Sequence, residues 1–202
     1  MEYYNDIKRS CNTMYEHVKD KLAMFDLDGT LYDTRKVNFM AYQAALKGFG
    51  FSLDMDFFYK KCNGRHYKVF LPVIMGDSKD IDEVNRIKKE LYPKYLSDAL
   101  VNLPLFTIIK KLKEQYYTAV VTTASRKNCE DILKYFGHTE LFDLIISGDD
   151  TKNKKPDPEG YIKCMDYFKI DPQDAIIFED SPTGIEAAIK SKASVFTVIG
   201  YS

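Results

Sequence analysis

Apolar residues run without a break from Leu22 to Phe25 and then meet Asp26, Leu27, Asp28 and Gly29. A short apolar run closed by a turn signal predicts a strand buried on both faces, here over 22–28. Four later runs carry the same signature: Thr118–Thr123, Leu144–Ser147, Ala175–Phe178 and Val195–Ile199. Apolar positions at helical spacing precede or separate them, over 104–115, 128–136 and 157–168. A further helix runs to Ile189, with Ser181 as its N-cap and Pro182 at its first position. Strands alternating with helices predict a parallel sheet with right-handed crossovers.

The interval from Gly29 to Thr118 breaks this rhythm. A whole strand–helix–strand unit takes about 30 residues, and this gap is roughly three times that. Its apolar positions repeat as in helices. Phe39, Tyr42, Ala45 and Leu46 end at Gly48. Phe57–Cys62 stops near Asn63-Gly64, and Arg65–Met75 and Val84–Leu96 are interrupted by Pro72, Gly76 and Pro93. The expected architecture is therefore an α/β protein with a Rossmann-like parallel core and an inserted α-helical domain. The core takes residues 1–34 and 101–202, and the insertion takes 35–100. At the N-terminus, Tyr4, Ile7, Cys11, Met14 or Tyr15, and Val18 share one helical face. A helix over 2–20 lying on the body of the protein is expected.

Composition narrows the function classes. A length of 202 residues suits one domain carrying a smaller one. A formal net charge of -1 argues against a general nucleic-acid or membrane-surface binder. No apolar run approaches twenty residues, so no spanning helix is expected, and the polar N-terminus does not read as a signal peptide. Cys11, Cys62, Cys129 and Cys164 are far apart and form neither metal-type spacing nor a disulfide framework. A reduced, cytoplasmic protein with cysteines buried as small apolar residues is expected.

Four strand ends or following loops carry polar groups: Asp26/Asp28, Thr122-Thr123-Ala124-Ser125, Lys154-Lys155-Pro156 and Glu179-Asp180. In open α/β sheets, ligands bind beyond the carboxyl ends of the strands. Asp26 and Asp28 are two apart and would face one way in ideal strand geometry; like charges that close call for a cation. The ordered set Asp-x-Asp-Gly-Thr, strand-end Thr, Lys-Pro and Glu-Asp-Ser-Pro-x-Gly resembles the haloacid dehalogenase superfamily. The inserted domain resembles the cap of its β-phosphoglucomutase-like branch. The resemblance covers residues 20–200; the first twenty residues extend beyond the usual start, and the C-terminus is shorter than usual.

The resemblance implies that Asp26 is the nucleophile and Asp28 the general acid/base. It implies Mg²⁺ held by Asp26, the backbone carbonyl of Asp28 and Asp180, with Glu179 beside the ion or one layer behind. Lys155, which directly precedes the proline, would hold phosphoryl oxygens, with Lys154 a solvated neighbour. The phosphate-binding hydroxyl is Thr123 if Thr-Ala-Ser matches the branch's Ser-x-Ser, and Thr122 if Val-Val-Thr is matched instead. Adjacent strand residues face opposite ways, so only one can serve, and Thr123 is favoured. In the cap, Arg65 follows Asn63-Gly64 as a candidate substrate-binding residue; with His66 and Lys68 it also reads as a solvated basic face. Plainer roles fall to Asp33 as a helix cap, Asp150 as a loop-ordering group and Gly184 as a point of close helix approach. His17, His66 and His138 are expected to be non-catalytic. The expected activity is Mg²⁺-dependent hydrolysis of a small phosphorylated metabolite through an aspartyl-phosphate, by a monomer or weak homodimer without nucleic-acid or membrane partners. A sugar phosphomutase would use the same residues. A phospho-receiver or binding module would lack the inserted domain, and a true dehalogenase would need neither Asp28 nor a metal.

Overall fold

The computed structural model describes residues 19–199. Its main sheet contains β1 (Lys21–Phe25), β4 (Tyr116–Val121), β5 (Leu144–Ile146), β6 (Ala175–Glu179) and β7 (Ser194–Thr197). The spatial order is β5-β4-β1-β6-β7 and every pair is parallel. β1 is central because both of its faces are apolar. Ala23 and Phe25 pack with Phe106, Ile109 and Ile132 on one side; Leu22 and Met24 pack with Tyr161, Cys164 and Ala187 on the other. Each large side chain fully buried here contributes about 1.5–3 kcal/mol. The chain builds outward from β1 through β4 to β5, then returns to the opposite side for β6 and β7. The crevice at that reversal opens at the carboxyl ends of β1, β4 and β6.

Among the described residues, four helices flank the sheet: α5 (Leu103–Leu112), α6 (Arg126–Tyr135), α7 (Glu159–Phe168) and α8 (Pro182–Lys190). Asn102, Ser125 and Ser181 each accept a backbone N–H three residues on, which fixes where α5, α6 and α8 begin. Ser181 and Pro182 thus take the places read from the sequence.

The insertion is helical from Arg35 to Asp98. It holds α1 (Arg35–Lys47), α2 (Met55–Phe57, continued by a π turn over Phe58–Cys62), α3 (Tyr67–Met75) and α4 (Ile81–Leu91), with a 3-10 segment over Tyr92–Asp98. Phe39, Leu46, Phe58, Phe70, Leu71 and Val84 form a core of its own. Val37, Ala41, Tyr92 and Leu96 belong instead to the core cluster of Ala23 and Phe25, which seats the insertion on the sheet. Pro72 lies inside α3 rather than breaking it, and Gly76 ends that helix.

Several expectations need correction. The first strand stops at Phe25, not at 28. The N–H groups of Leu31 and Tyr32 both reach the Leu27 carbonyl, and Gly29 takes φ +98°, so 26–31 is a tight loop. Strand alternation therefore does not relate Asp26 to Asp28. The two linkers of the insertion pair with each other: β2 (Tyr32–Asp33) runs antiparallel to β3 (Leu100–Val101). Two residues per strand are too few to leave a periodic signal. The helix expected over 2–20 falls outside the described residues except for Lys19 and Asp20, which are not helical. Cys62, Cys129 and Cys164 are free and buried. No helix among the described residues is long and apolar enough to cross a membrane.

Candidate active site

Asp26 sits one residue past β1. Its N–H donates to the Phe178 carbonyl at 3.0 Å, extending the β1–β6 ladder by one step and anchoring the carboxylate at the sheet edge. The Lys155 ammonium donates to Asp26 Oδ1 at 2.6 Å, to Glu179 Oε1 at 2.6 Å and to the Val121 carbonyl at 3.0 Å. Strand ends of β1, β4 and β6 are thus tied together by one cation.

Glu179 is fully buried. Besides Lys155, Tyr161 donates to Oε1 at 3.2 Å, while Oε2 accepts the N–H groups of Asp180 and Ser181 at 2.9 Å and the Ser181 hydroxyl at 3.1 Å. A Cβ on Gly184 would overlap this carboxylate, so the close approach read for Gly184 is the approach of α8 to Glu179. Asp180 accepts the Thr30 hydroxyl at 2.8 Å, and a Cβ on Gly29 would collide with it. One carboxylate oxygen from each of Asp26, Glu179 and Asp180 lies within 4.8 Å of the others.

Three carboxylates against one ammonium leave excess negative charge. Burial holds the Asp26 carboxyl well above its usual range; Lys155 pulls it back, and Glu179 and Asp180 push it up again. Asp180 is raised by burial and by Glu179 against the Thr30 hydrogen bond. Lys155 is buried, yet Asp26 and Glu179 keep it an ammonium. An all-oxygen donor set with uncompensated charge fits a hard divalent cation.

Asp28 belongs to a different network. The Thr34 hydroxyl donates to its carboxylate, Asn38 donates to Thr34 Oγ1 at 3.1 Å, and Lys88 donates to Asn38 Oδ1 at 2.6 Å. Burial raises the Asp28 carboxyl, partly offset by Thr34 and Lys88. Thr34 stands at the N-cap position of α1 but makes no capping bond; Asp33 Oδ1 accepts the Arg35 N–H at 3.0 Å instead, as read for Asp33. Lys88 is 5 % exposed, lies 5.1 Å from the Tyr42 ring centroid and 4.7 Å from that of Tyr92, and burial lowers its pKa to about 8. Sequence reading missed Lys88 and Asn38. The available signal was position: Lys88 falls four residues after Val84 and four before Tyr92, both buried, on the inward face of α4.

A cavity of about 530 Å³ between sheet and insertion is lined by Asp26, Asp28, Lys155 and Asp180, by Lys88, and by Arg65 from the far wall. Both threonines line it. Thr122 is buried, with Oγ1 accepting the Ala124 N–H at 3.0 Å; Thr123 is exposed to the cavity. Glu179 lies behind the wall. Asp150 forms a capping box with Ser147 and pairs with Arg126 at 2.7 Å, ordering its loop as expected. His138 accepts or donates with the Tyr32 hydroxyl at 2.7 Å and stacks on Phe106, away from the cavity lining. His66 caps α3 at the cavity rim, and His17 falls outside the described residues.

Residues 23–198 match the family described as haloacid dehalogenase-like hydrolase. The chain belongs to that family. Among curated members, it is 27% identical over 177 residues to fructose-1-phosphate phosphatase YqaB of Escherichia coli, covering 87% of this chain and 93% of the relative. Among solved structures, CbbY from Rhodobacter sphaeroides in complex with phosphate superposes with a TM-score of 0.81 at 26% identity, over 90% of this chain and 87% of that one. A putative β-phosphoglucomutase from Thermotoga maritima shares the fold, with a TM-score of 0.75 at 23% identity over 90% and 87% of the two chains. The family named by the motifs is thus the one that residues 23–198 match.

Proposed function

We propose that the chain is a Mg²⁺-dependent phosphatase acting on a small phosphorylated metabolite through a phosphorylated Asp26. The observation that carries this reading is the separation of two carboxylates into two environments. Burial raises both carboxyls, but Asp26 is gripped by the Lys155 ammonium beside Asp180, whereas Asp28 is bonded by the Thr34 hydroxyl. An ammonium bonded directly to Asp26 favours the charged form that a nucleophile needs, and a hydroxyl bonded to Asp28 aims it for proton transfer.

Asp26 attacks phosphorus as the ester bond breaks, and Asp28 gives its proton to the departing oxygen. Asp28 then takes a proton from water, which attacks the aspartyl-phosphate and frees Asp26 and inorganic phosphate. Mg²⁺, when bound, would neutralise charge on the phosphoryl oxygens. Asp26, Asp180 and the Asp28 carbonyl would hold it. Glu179, with both oxygens already engaged, acts from behind by fixing Lys155 and the Asp180 backbone. We assign the phosphate-binding hydroxyl to Thr123, residues 35–100 to the cap, and a substrate contact to Arg65. The relative's fructose 1-phosphate makes sugar phosphates the first substrates to try.

The test uses an aryl phosphate with Mg²⁺. Hydrolysis should require the metal and stop with chelator. Asp28→Asn should release about one equivalent of aryl alcohol in a burst and then turn over slowly, with the phosphoryl group on the peptide containing Asp26. Asp26→Asn should give no burst. Full activity in chelator, or label on another residue, would overturn the reading. Transfer within a sugar phosphate without release of inorganic phosphate would make the enzyme a mutase.

A further inference from the structure

A polar side chain on the inward stripe of a helix needs a reason. Asn128 lies on the buried face of α6 with Cys129, Ile132 and Leu133, and only 7 % of it is exposed. The other buried polar side chains of the cavity wall are bonded within the protein: Asp26 to Lys155, Asp33 to Arg35, Thr34 to Asp28, Lys88 to Asn38, and Thr122 to the Ala124 N–H. Asn128 is the exception. Among the described residues its Oδ1 is the buried side-chain polar atom without a hydrogen-bond partner, and Asn128 lines the cavity. Its place in the helix explains why. Asn128 stands three residues past the N-cap Ser125, and its N–H donates to Ser125 Oγ at 3.4 Å. A Glu or Gln at that position often returns the bond to the N-cap N–H. The shorter Asn amide closes no such box here, which leaves its oxygen to the cavity.

An uncharged acceptor in a buried wall calls for a neutral donor. Leaving such an oxygen unmet costs free energy that a donor on a bound molecule recovers. A hydroxyl suits an amide oxygen, whereas an ammonium calls for a carboxylate. Position says which part of a substrate would bring the hydroxyl. The N-cap of α6 lies two residues beyond Thr123, and α6 packs on the 3-10 segment that starts with Tyr92, another lining residue. Lys88, joined to Asp28 through Asn38 and Thr34, lies 4.7 Å from the Tyr92 ring centroid. Asn128 thus stands on the Asp28 side of the cavity, where the alcohol would depart. Resting on the phosphatase reading, we propose that Asn128 is a specificity-determining residue whose Oδ1 accepts a hydrogen bond from a hydroxyl of the leaving alcohol. The substrate is thereby the phosphate ester of a polyol, and a plain alkyl ester of the same length leaves the acceptor unmet.

Esters matched in skeleton test this, with released phosphate as the readout. Glycerol 1-phosphate is compared with propyl phosphate, sorbitol 6-phosphate with hexyl phosphate, and glucose 6-phosphate with tetrahydropyran-2-ylmethyl phosphate. In at least one pair the hydroxylated member should lead in kcat/KM by about tenfold or more, since a buried acceptor is met in one complex and unmet in the other. Asn128→Leu, of similar volume and without the acceptor, should cut that lead by about tenfold. Asn128→Ala should do the same if the larger side chain is not accommodated. Removing hydroxyls from the leading polyol one at a time should place most of the wild-type loss at one carbon. No lead in any pair, a lead that both variants keep, or a loss spread evenly over the hydroxyls would each overturn the proposal; an oxygen that merely holds a water gives the second of these. Failure of the underlying reading looks different: no ester, aryl phosphate included, would release phosphate with Mg²⁺ present.

Discussion

Replacing Glu179 by Gln changes one atom and removes one charge at the centre of the site. Every group around this carboxylate is a donor: Lys155 and Tyr161 on Oε1, and two backbone N–H groups and the Ser181 hydroxyl on Oε2. An amide must turn its NH₂ toward one set or the other. Facing Lys155, it sets a donor against an ammonium that keeps only Asp26 as counter-charge. Facing Asp180 and Ser181, it leaves two N–H groups without an acceptor, at about 1–3 kcal/mol each when buried. Breaking a buried ion pair from one side costs about 3–5 kcal/mol. Both orientations point to a loss of about 3–5 kcal/mol, a large part of the 5–15 kcal/mol that holds an ordinary domain together. At about 2–4 °C per kcal/mol, Tm should fall on the order of 10 °C. Urea and thermal unfolding followed by circular dichroism measure this directly. A variant within about 1 kcal/mol of wild type would refute the view that Glu179 is the buried anchor of Lys155 and Asp180.

Two more perturbations follow. Thr123→Val should cost about 2–4 kcal/mol of transition-state stabilisation while Thr122→Val keeps most activity; the reverse order in aryl phosphate kinetics would move the phosphate-binding hydroxyl to Thr122. Lys88→Met should stabilise the fold at pH 7 by up to about 3 kcal/mol, since the ammonium falls from about 10.4 unfolded to about 8 folded. The unfolded chain binds the extra proton between those values, so wild-type stability rises across that window and the variant's advantage vanishes above about pH 10.4; a variant less stable at pH 7 would contradict the buried charge.

The sheet was legible because buried parallel strands are written as short apolar runs, and all five were found within a few residues. The end of β1 was misread because Leu27 continues the apolar pattern, while the turn is made by backbone bonds to its carbonyl. Charge-bearing loops after strands marked Asp26, Asp28, Lys155, Glu179 and Asp180, since strand order alone gathers those ends. Lys88 and Asn38 were invisible to that logic. They lie on helices, separated by fifty positions, and only the packing of α1 against α4 brings them together. Glu179 reads in sequence as one more acidic ligand; its saturation by donors is a property of how β6 turns into α8.

The order of the chain also divides the chemistry between two bodies. The insertion begins directly after the loop that carries both aspartates, so its first residues must lie against that loop. Asp28 takes its hydrogen bond from Thr34 and, through Asn38, answers to Lys88 on α4; its partners start at the linker and end inside the insertion. Asp26 takes its partners from Lys155 and, through it, from Glu179, both in the core. A shift of the insertion would therefore act on Asp28, the acid/base of the proposed mechanism, while leaving Asp26, its proposed nucleophile, in place. The two-stranded ribbon of β2 and β3 lies between those two sets of contacts, since Asn102 just beyond β3 donates to the Thr30 carbonyl and Thr30 in turn holds Asp180. On the proposed mechanism, the position of the insertion would be felt at Asp28 through side chains and met at Asp180 by a backbone clamp, so that closure would prepare proton transfer without disturbing the carboxylates proposed to hold the metal.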